Sequence, residues 1–316
     1  METRPRPEQP TLWGADASPG LSPAPLPEPA ERVIRAGSGP VLVGTSGFSF
    51  PDWDGVFYPR GLPPAKRLGF YARYFPALEV NSTYYRIPHP LVMRQLAEKT
   101  PRDFEIVVKA NRGMTHEAGD GDVYREFLGC LAPLREAGRF QGVLAQFPWA
   151  FRRSPENLRR VLEMPARLDG APLFVEFRHA SWAAEEVFRS LAEAGIGDCS
   201  VDEPALAGLM PPLARRTGDV AYVRLHGRNA RTWWKGSRAR DEGAGTAGRD
   251  EGASKLRYDY DYRREELEEW LAKIKELAER AQKTYVFFNN CHAGQAARNA
   301  RLMMDMLQGD LESRGA

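Results

Sequence analysis

Glu176 and Arg178 stand two positions apart in VEFRH, and Arg224 and His226 two apart in VRLHG. Side chains two apart on a strand share one face. Polar residues recur late in other short apolar runs: Glu79 and Asn81 in LEVN, Lys109 and Asn111 in IVVKAN, Gln146 in LAQF, Asp202 in CSVD, and Asn289 and Asn290 in VFFNN. Brought to one place, Glu79, Glu176 and Asp202 supply carboxyl groups for acid/base work. Lys109 supplies an amine whose pKa falls on burial near cations. His226 supplies a group that titrates near neutrality. Arg178 and Arg224 offer planar forks for a carboxylate or phosphate. Asn81, Gln146, His179, Asn289 and Asn290 add substrate-binding polar groups, and Trp234 an aromatic rim.

Three acids (Glu79, Glu176, Asp202) against three cations (Lys109, Arg178, Arg224) is a balanced set. An unpaired buried charge costs several kcal/mol, so these groups must pair with each other or hold a ligand. An anionic ligand leaves such a site negative unless an acid takes a proton, so its binding is expected to strengthen as pH falls. Glu79, Glu176, Asp202 and His226 also form a conceivable divalent-metal set. No local spacing specifies it and the nearby cations oppose it, so neither a metal nor an organic cofactor is predicted.

The segment RNARTWWKGSRAR, Arg228–Arg240, carries five basic residues, two tryptophans and no acid. Such interleaving suits stacking on bases beside phosphate contacts. The alternative is a loop whose tryptophans pack over a site, and we favour it. With 44 basic and 42 acidic side chains, a net charge of +2 gives no bulk electrostatic case for nucleic acid or a membrane as partner.

The positioning elements follow a regular rhythm. β-rich runs lie at Val41–Gly47, Leu78–Tyr85, Phe104–Asn111, Gly142–Trp149, Pro172–His179, Ile196–Asp202, Val220–Gly227 and Thr284–Asn290, eight in all. Helical stretches separate them. Arg263–Lys283 carries Leu267, Trp270, Leu271, Ile274 and Leu277 as an apolar stripe. Asp122–Ala137 and Ser181–Ala194 each precede a stop glycine, and Ser154 and Ser181 are expected helix N-caps. Eight strands alternating with helices predict a single-domain α/β fold, a (β/α)8 TIM barrel. An open doubly wound sheet would place a glycine-rich phosphate turn after its first strand. GTSGFS is a poor match to that turn, and FPDWDGVFYP after it is not helical. In a barrel the polar strand ends gather at the C-terminal pole, where barrel enzymes place their sites.

At 42% hydrophobic and 27% charged, the chain is not disordered throughout. Residues 1–39 are predicted to be a disordered tail, since eight of the 25 prolines fall in the first thirty positions. The barrel is assigned to 40–308 with a mobile loop at 236–254, and 309–316 to a C-terminal tail. Cys130, Cys199 and Cys291 are odd in number and scattered, which suits reduced thiols and a cytoplasmic location. No signal peptide or membrane-spanning run is visible in the sequence.

Several long motifs, in order, carry a resemblance: VGTSGFSFPDWDGVFYP, FYARYFPALEVNSTYYRIP, KANRGMTH, LAQFPWAF, VEFRHASW, YVRLHGRNARTWW, YDYDYRREELEEW and FFNNCHAGQAARNA. They resemble the YecE-like family, domain of unknown function 72, over about residues 40–307. The resemblance implies a TIM barrel and assigns no reaction. It maps the family's motifs onto the residues named above and adds His116.

These readings lead to an expected enzyme, a hydrolase, isomerase or lyase without an organic cofactor, acting on a small polar or anionic compound such as a sugar or phosphorylated molecule. A non-catalytic anion-binding module and a nucleic-acid-processing barrel are the alternatives. The sequence leaves the oligomeric state open.

Overall fold

The computed structural model describes residues 28–29, 31–117, 121–235 and 256–315. Within them, eight parallel strands form a closed barrel: β2 (Pro40–Ser46), β3 (Ala77–Val80), β4 (Glu105–Lys109), β5 (Phe140–Gln146), β6 (Leu173–Glu176), β7 (Gly197–Asp202), β8 (Val220–Leu225) and β9 (Lys283–Phe288). Closure comes from β2 pairing β9 in parallel, Val41 opposite Thr284 through Thr45 opposite Phe288. The eight expected runs are these eight strands. β3 is shorter than expected, because the chain turns into a 3-10 segment at Ser82–Tyr84 directly after Asn81.

A short strand, β1 (Ile34–Arg35), pairs antiparallel to β2. It falls within the stretch expected to be a tail. Ile34 and Ala36 are buried, and Ser38 Oγ donates to carbonyls at the end of the 264–280 helix. The described end of that stretch is therefore barrel floor, while residues 1–27 lie outside the described residues. At the other end, the helix Gln295–Gly315 runs through most of the expected C-terminal tail. The expected mobile loop, 236–254, also lies outside the described residues.

Helix starts follow local chemistry. Ser154 Oγ accepts from Asn157 N at 3.1 Å with Pro155 at the first helical position, as expected of an N-cap. Ser181 is not one. It sits in the 3-10 turn Ala180–Trp182, its Oγ accepts from Arg153 N, and the next helix begins at Glu185. His179 instead caps that turn, its Nδ1 accepting from Ser181 N at 3.0 Å.

Contacts between strands that are not neighbours reveal the barrel interior, because only inward side chains can meet across it. Lys283 on β9 pairs with Glu105 on β4 at the N-terminal end, 2.6 Å apart. Above them Phe174, Tyr222, Tyr285 and Phe287 pack ring against ring. At the C-terminal end Arg224 on β8 reaches Glu79 on β3. The lumen is thus a layered core, as in other closed eight-stranded barrels. Among the described residues, no helix is long and apolar enough to cross a membrane.

Candidate active site at the C-terminal strand ends

Glu176 and Arg224, 0% and 1% exposed, form the centre of the upper layer. Arg224 Nη1 donates to Glu176 Oε2 at 2.5 Å and Arg224 Nη2 to Glu79 Oε1 at 2.7 Å. The other Glu79 oxygen accepts from Tyr222 OH at 2.7 Å. Glu176 Oε1 lies 2.7 Å from Arg178 Nε, and Arg178 Nη1 donates to Glu203 Oε2 at 2.9 Å. The result is a run of alternating charge: Glu79, Arg224, Glu176, Arg178, Glu203. Burial alone would raise the Glu176 pKa, but Arg178, Arg224 and His226 together hold it well below the ordinary carboxylate range.

His226 completes this half. Its Nδ1 lies 2.9 Å from Asn289 Nδ2, and its Nε2 lies 3.3 Å from Glu176 Oε1. An amide nitrogen only donates, so Nδ1 accepts and the proton sits on Nε2, facing the carboxylate. Burial, reinforced by Arg178 against the pull of Glu176, lowers the imidazole pKa to about 3. That places its titration below the neutral range expected from its type.

Lys109 occupies a different corner. Its Nζ donates to Gln146 Oε1 at 2.8 Å and lies 4.6 Å from the centre of the Tyr84 ring. No carboxylate among the described residues comes within ion-pairing distance of it. Burial and the nearby Arg224 outweigh the attraction of Glu176 and Glu79, bringing the amine pKa to about 7. The side chain stays half-buried, at the end of β4. On the opposite side of Arg178, burial raises the Glu203 carboxyl to about 7, with Arg178 opposing and Glu176 adding to the rise. His116, which edges the Tyr84 ring, is lowered to about 3 by burial and by Lys109.

The structure brings together Glu79, Lys109, Gln146, Glu176, Arg178, Arg224, His226 and Asn289 from the expected set. Asn81 follows β3 directly, its Oδ1 buried and without a hydrogen-bond partner among the described residues. Asp202 does not join. It points outward into the helical layer, where it accepts from Trp270 Nε1 at 2.7 Å, Tyr262 OH at 2.5 Å and Arg228 Nη2 at 2.9 Å. On β7 the inward residues have the other parity: Cys199, whose Sγ lies 3.8 Å from Glu176 Oε2, and then Glu203. Arg224 is in the site but has two carboxylates on it, which leaves it no fork for a ligand. Asn290 donates to Tyr260 O and Asn299 Oδ1 and ties the last two helices' entry segments together. His179 is the cap already described and edges Trp149.

Trp234 packs against Trp149, with centroids 5.4 Å apart, and the tryptophan over the charged cluster is its neighbour. Trp233 is buried, 5.7 Å from the Arg178 guanidinium carbon and 6.5 Å from the His226 ring. Glu203, Trp233 and Tyr84 were not singled out by sequence reasoning. Glu203 carried a signal, since DCSVDE places acids on both parities. The basic run after β8 is partly absorbed too: Arg228 is held by Asp202 and Glu269. Among the described residues no group of three or more His, Cys, Asp or Glu is arranged to hold a metal ion. Two surface depressions, one lined by Tyr124, Arg125 and Arg167 and one by Arg215, Arg216 and Arg280, lie away from these strand ends.

A family model described as "Protein of unknown function DUF72" matches residues 42–314. The chain belongs to the DUF72 family. Its barrel is similar to a solved DUF72 protein from Thermotoga maritima MSB8, with 40% sequence identity and a TM-score of 0.74, covering 85% of this chain and 99% of that one. A DUF72 protein from Enterococcus faecalis V583 is similar at 26% identity and a TM-score of 0.71, covering 85% of this chain and 95% of its own. In sequence, the chain is 28% identical over 288 residues to the UPF0759 protein YunF of Bacillus subtilis (strain 168), covering 87% of this chain and 96% of YunF. DUF72 membership establishes the family and, with the solved barrels, the fold. It names no substrate.

Proposed function

We propose that the protein is an enzyme performing acid/base chemistry at its barrel mouth on a small polar, anionic substrate of the sugar, sugar-acid or phosphorylated class. One observation carries this reading. Lys109 presents a half-buried amine, with no carboxylate among the described residues in pairing distance, at the pole where barrel enzymes work. A structural lysine in this interior has the pattern of Lys283, paired with Glu105.

The charge arithmetic supports a matched acid and base. Three carboxylates (Glu79, Glu176, Glu203) and two guanidiniums (Arg178, Arg224) leave one negative charge. It is relieved either by a proton on Glu203 or by one on Lys109. Both groups are tuned to about 7. The mouth therefore holds a proton that two residues can carry, and a pKa near the operating pH is what general acid/base work requires. In this reading Lys109 is the base and Glu203 the acid. Arg178 Nη2, which makes no hydrogen bond among the described residues, receives the substrate's anionic group. Glu176 and Glu79 are positioning residues that fix the two arginines. The free thiols Cys130, Cys199 and Cys291 suit the reducing cytoplasm we assign to it.

The test is a turnover screen by NMR with pools of sugar phosphates and sugar acids, run on the wild type and on Lys109→Met. We expect a wild-type conversion that the variant lacks. Conversion at equal rates in both would overturn the role of Lys109. A ligand that raises the melting temperature and is never converted would favour the binding-module reading.

A further inference from the structure

We propose that Lys109 is a carbonyl-capturing amine, which forms an imine with a small aldehyde or ketone carrying an anionic group that Arg178 receives. This deepens the reading above and rests on Lys109 being the working group of the mouth.

Three features of the corner separate an amine that attacks carbon from one that only moves protons. First, Nζ has one firm acceptor, Gln146 Oε1, at 2.8 Å. Gln146 is itself anchored, its Nε2 donating to Phe147 O at 3.0 Å. A neutral amine needs one such acceptor to fix its rotation, and its lone pair stays free. A carboxylate in that place would hold the amine as ammonium. Second, the Tyr84 ring covers one side of Nζ at 4.6 Å. The ring face steadies the cationic iminium that the reaction creates, through the same attraction it offers an ammonium. Third, the neighbouring charges are already committed. Glu176 is bound by Arg178 and Arg224 and Glu79 by Arg224, so neither carboxylate is free to compete for the iminium or to quench the amine. A lysine desolvated beside other cations is a well-established route to imine chemistry, and Lys109, lowered to about 7, meets that condition.

The step balances as follows. The Nζ lone pair attacks the carbonyl carbon, and a C–N bond forms while the C=O π pair moves to oxygen. A proton from nitrogen reaches that oxygen, giving a carbinolamine. A second proton, from solvent, lets the hydroxyl leave as water, and the nitrogen lone pair closes the C=N bond of the iminium. Cyanoborohydride then delivers hydride to that carbon and fixes a secondary amine, the B–H bonding pair supplying the two electrons that reduce the C=N bond.

The experiment uses the wild-type chain at pH 7 with glycolaldehyde phosphate and sodium cyanoborohydride, with unphosphorylated glycolaldehyde in parallel. Peptide mass spectrometry reads the rate of adduct formation at Lys109 and at the exposed Lys66 and Lys99 as internal references. We expect the phosphorylated aldehyde to label Lys109 at least ~10-fold faster than either reference. Glycolaldehyde should show a smaller preference, and Arg178→Met should bring the two aldehydes together. Equal labelling of Lys109 and the references by both aldehydes would overturn the proposal. Arylation by 1-fluoro-2,4-dinitrobenzene separates the two levels of the reading, because it reports a free amine whatever the substrate. Rapid arylation of Lys109 without selective imine formation would refute carbonyl capture and leave Lys109 as a base. Slow arylation and slow imine formation together would refute both.

Discussion

Two halves of one mouth solve the same electrostatic problem differently. In the half built on Glu176, every charge meets an opposite one: Glu79, Arg224, Glu176, Arg178 and Glu203 alternate from β3 across to the end of β7. In the half built on Lys109, the cation meets an amide oxygen and a tyrosine ring. The first arrangement makes the charges permanent and immobile. The second makes the charge optional. A buried ion pair is worth little as net stability but is costly to break, whereas a desolvated lone amine costs stability for as long as it is protonated. The comparison separates residues that build the barrel mouth from the one we propose reacts in it. It also shows why charge at a strand end is a poor guide to catalysis until its partners are known.

The comparison breaks most visibly at Glu176. Glu176→Ala leaves Arg178 and Arg224 each short of a carboxylate in a fully buried place, and we expect a loss of ~3–5 kcal/mol in unfolding free energy. Glu176→Gln keeps the volume and an acceptor and is expected to cost distinctly less. Denaturant titration of the two variants decides this, and equal small losses would remove Glu176 from the centre of the network. Asp202 comes next. Asp202→Asn keeps one acceptor but faces Trp270, Tyr262 and Arg228 with a poorer partner, for an expected loss of about 1–3 kcal/mol. The proposed catalysis should survive it once the variant is folded, because Asp202 faces the helices. A collapse of activity in a stably folded Asp202→Asn would return it to the mouth.

The pH dependence gives smaller and more diagnostic effects, with opposite signs in the two halves. Lys109 is lowered from 10.5 to about 7, so the folded chain binds that proton less well than the unfolded one. The stability it contributes is present above 10.5 and is lost as pH falls through that window to about 7. Glu203 is raised from 4.5 to about 7, so its contribution is present below 4.5 and lost as pH rises to about 7. Lys109→Met should therefore flatten the stability curve on the alkaline side, and Glu203→Gln on the acid side. Melting curves from pH 4 to 10 check both, and a variant curve parallel to wild type would show that its group is not perturbed. Because a proton on Glu203 or on Lys109 lowers the negative charge of the mouth, anion binding should strengthen as pH falls through about 7, and Glu203→Gln should weaken that trend and leave the share that Lys109 carries.

The legible and illegible parts of this site have physical reasons. The eight strands were readable because buried parallel strands are short apolar runs, and VLVG, EIVV and YVRL admit little else. Inward parity is readable on β3, β6 and β8, where the polar residues of each pair stand two apart with an apolar one between them. On β7 it was not. Asp198, Asp202 and Glu203 supply acids to both faces, and the choice between them depends on Trp270, 68 positions further along, reaching back for Asp202. Trp233 and Trp234 are adjacent, so only the loop's turn decides which one covers Arg178. That Arg224 is consumed by Glu79 and Glu176 while Arg178 keeps an open nitrogen depends on distances across the lumen, which no spacing along the chain encodes.

Everything turns on whether Lys109 carries an optional proton. Its titration can be read directly by NMR of the chain labelled with 15N at lysine side chains, with Lys109→Arg used to assign the resonance. The predicted midpoint for Lys109 is about 7, lowered from the ordinary lysine value of 10.5. A Lys109 midpoint at or above 10 would contradict it, and would make this corner as permanent as the Glu176 network beside it.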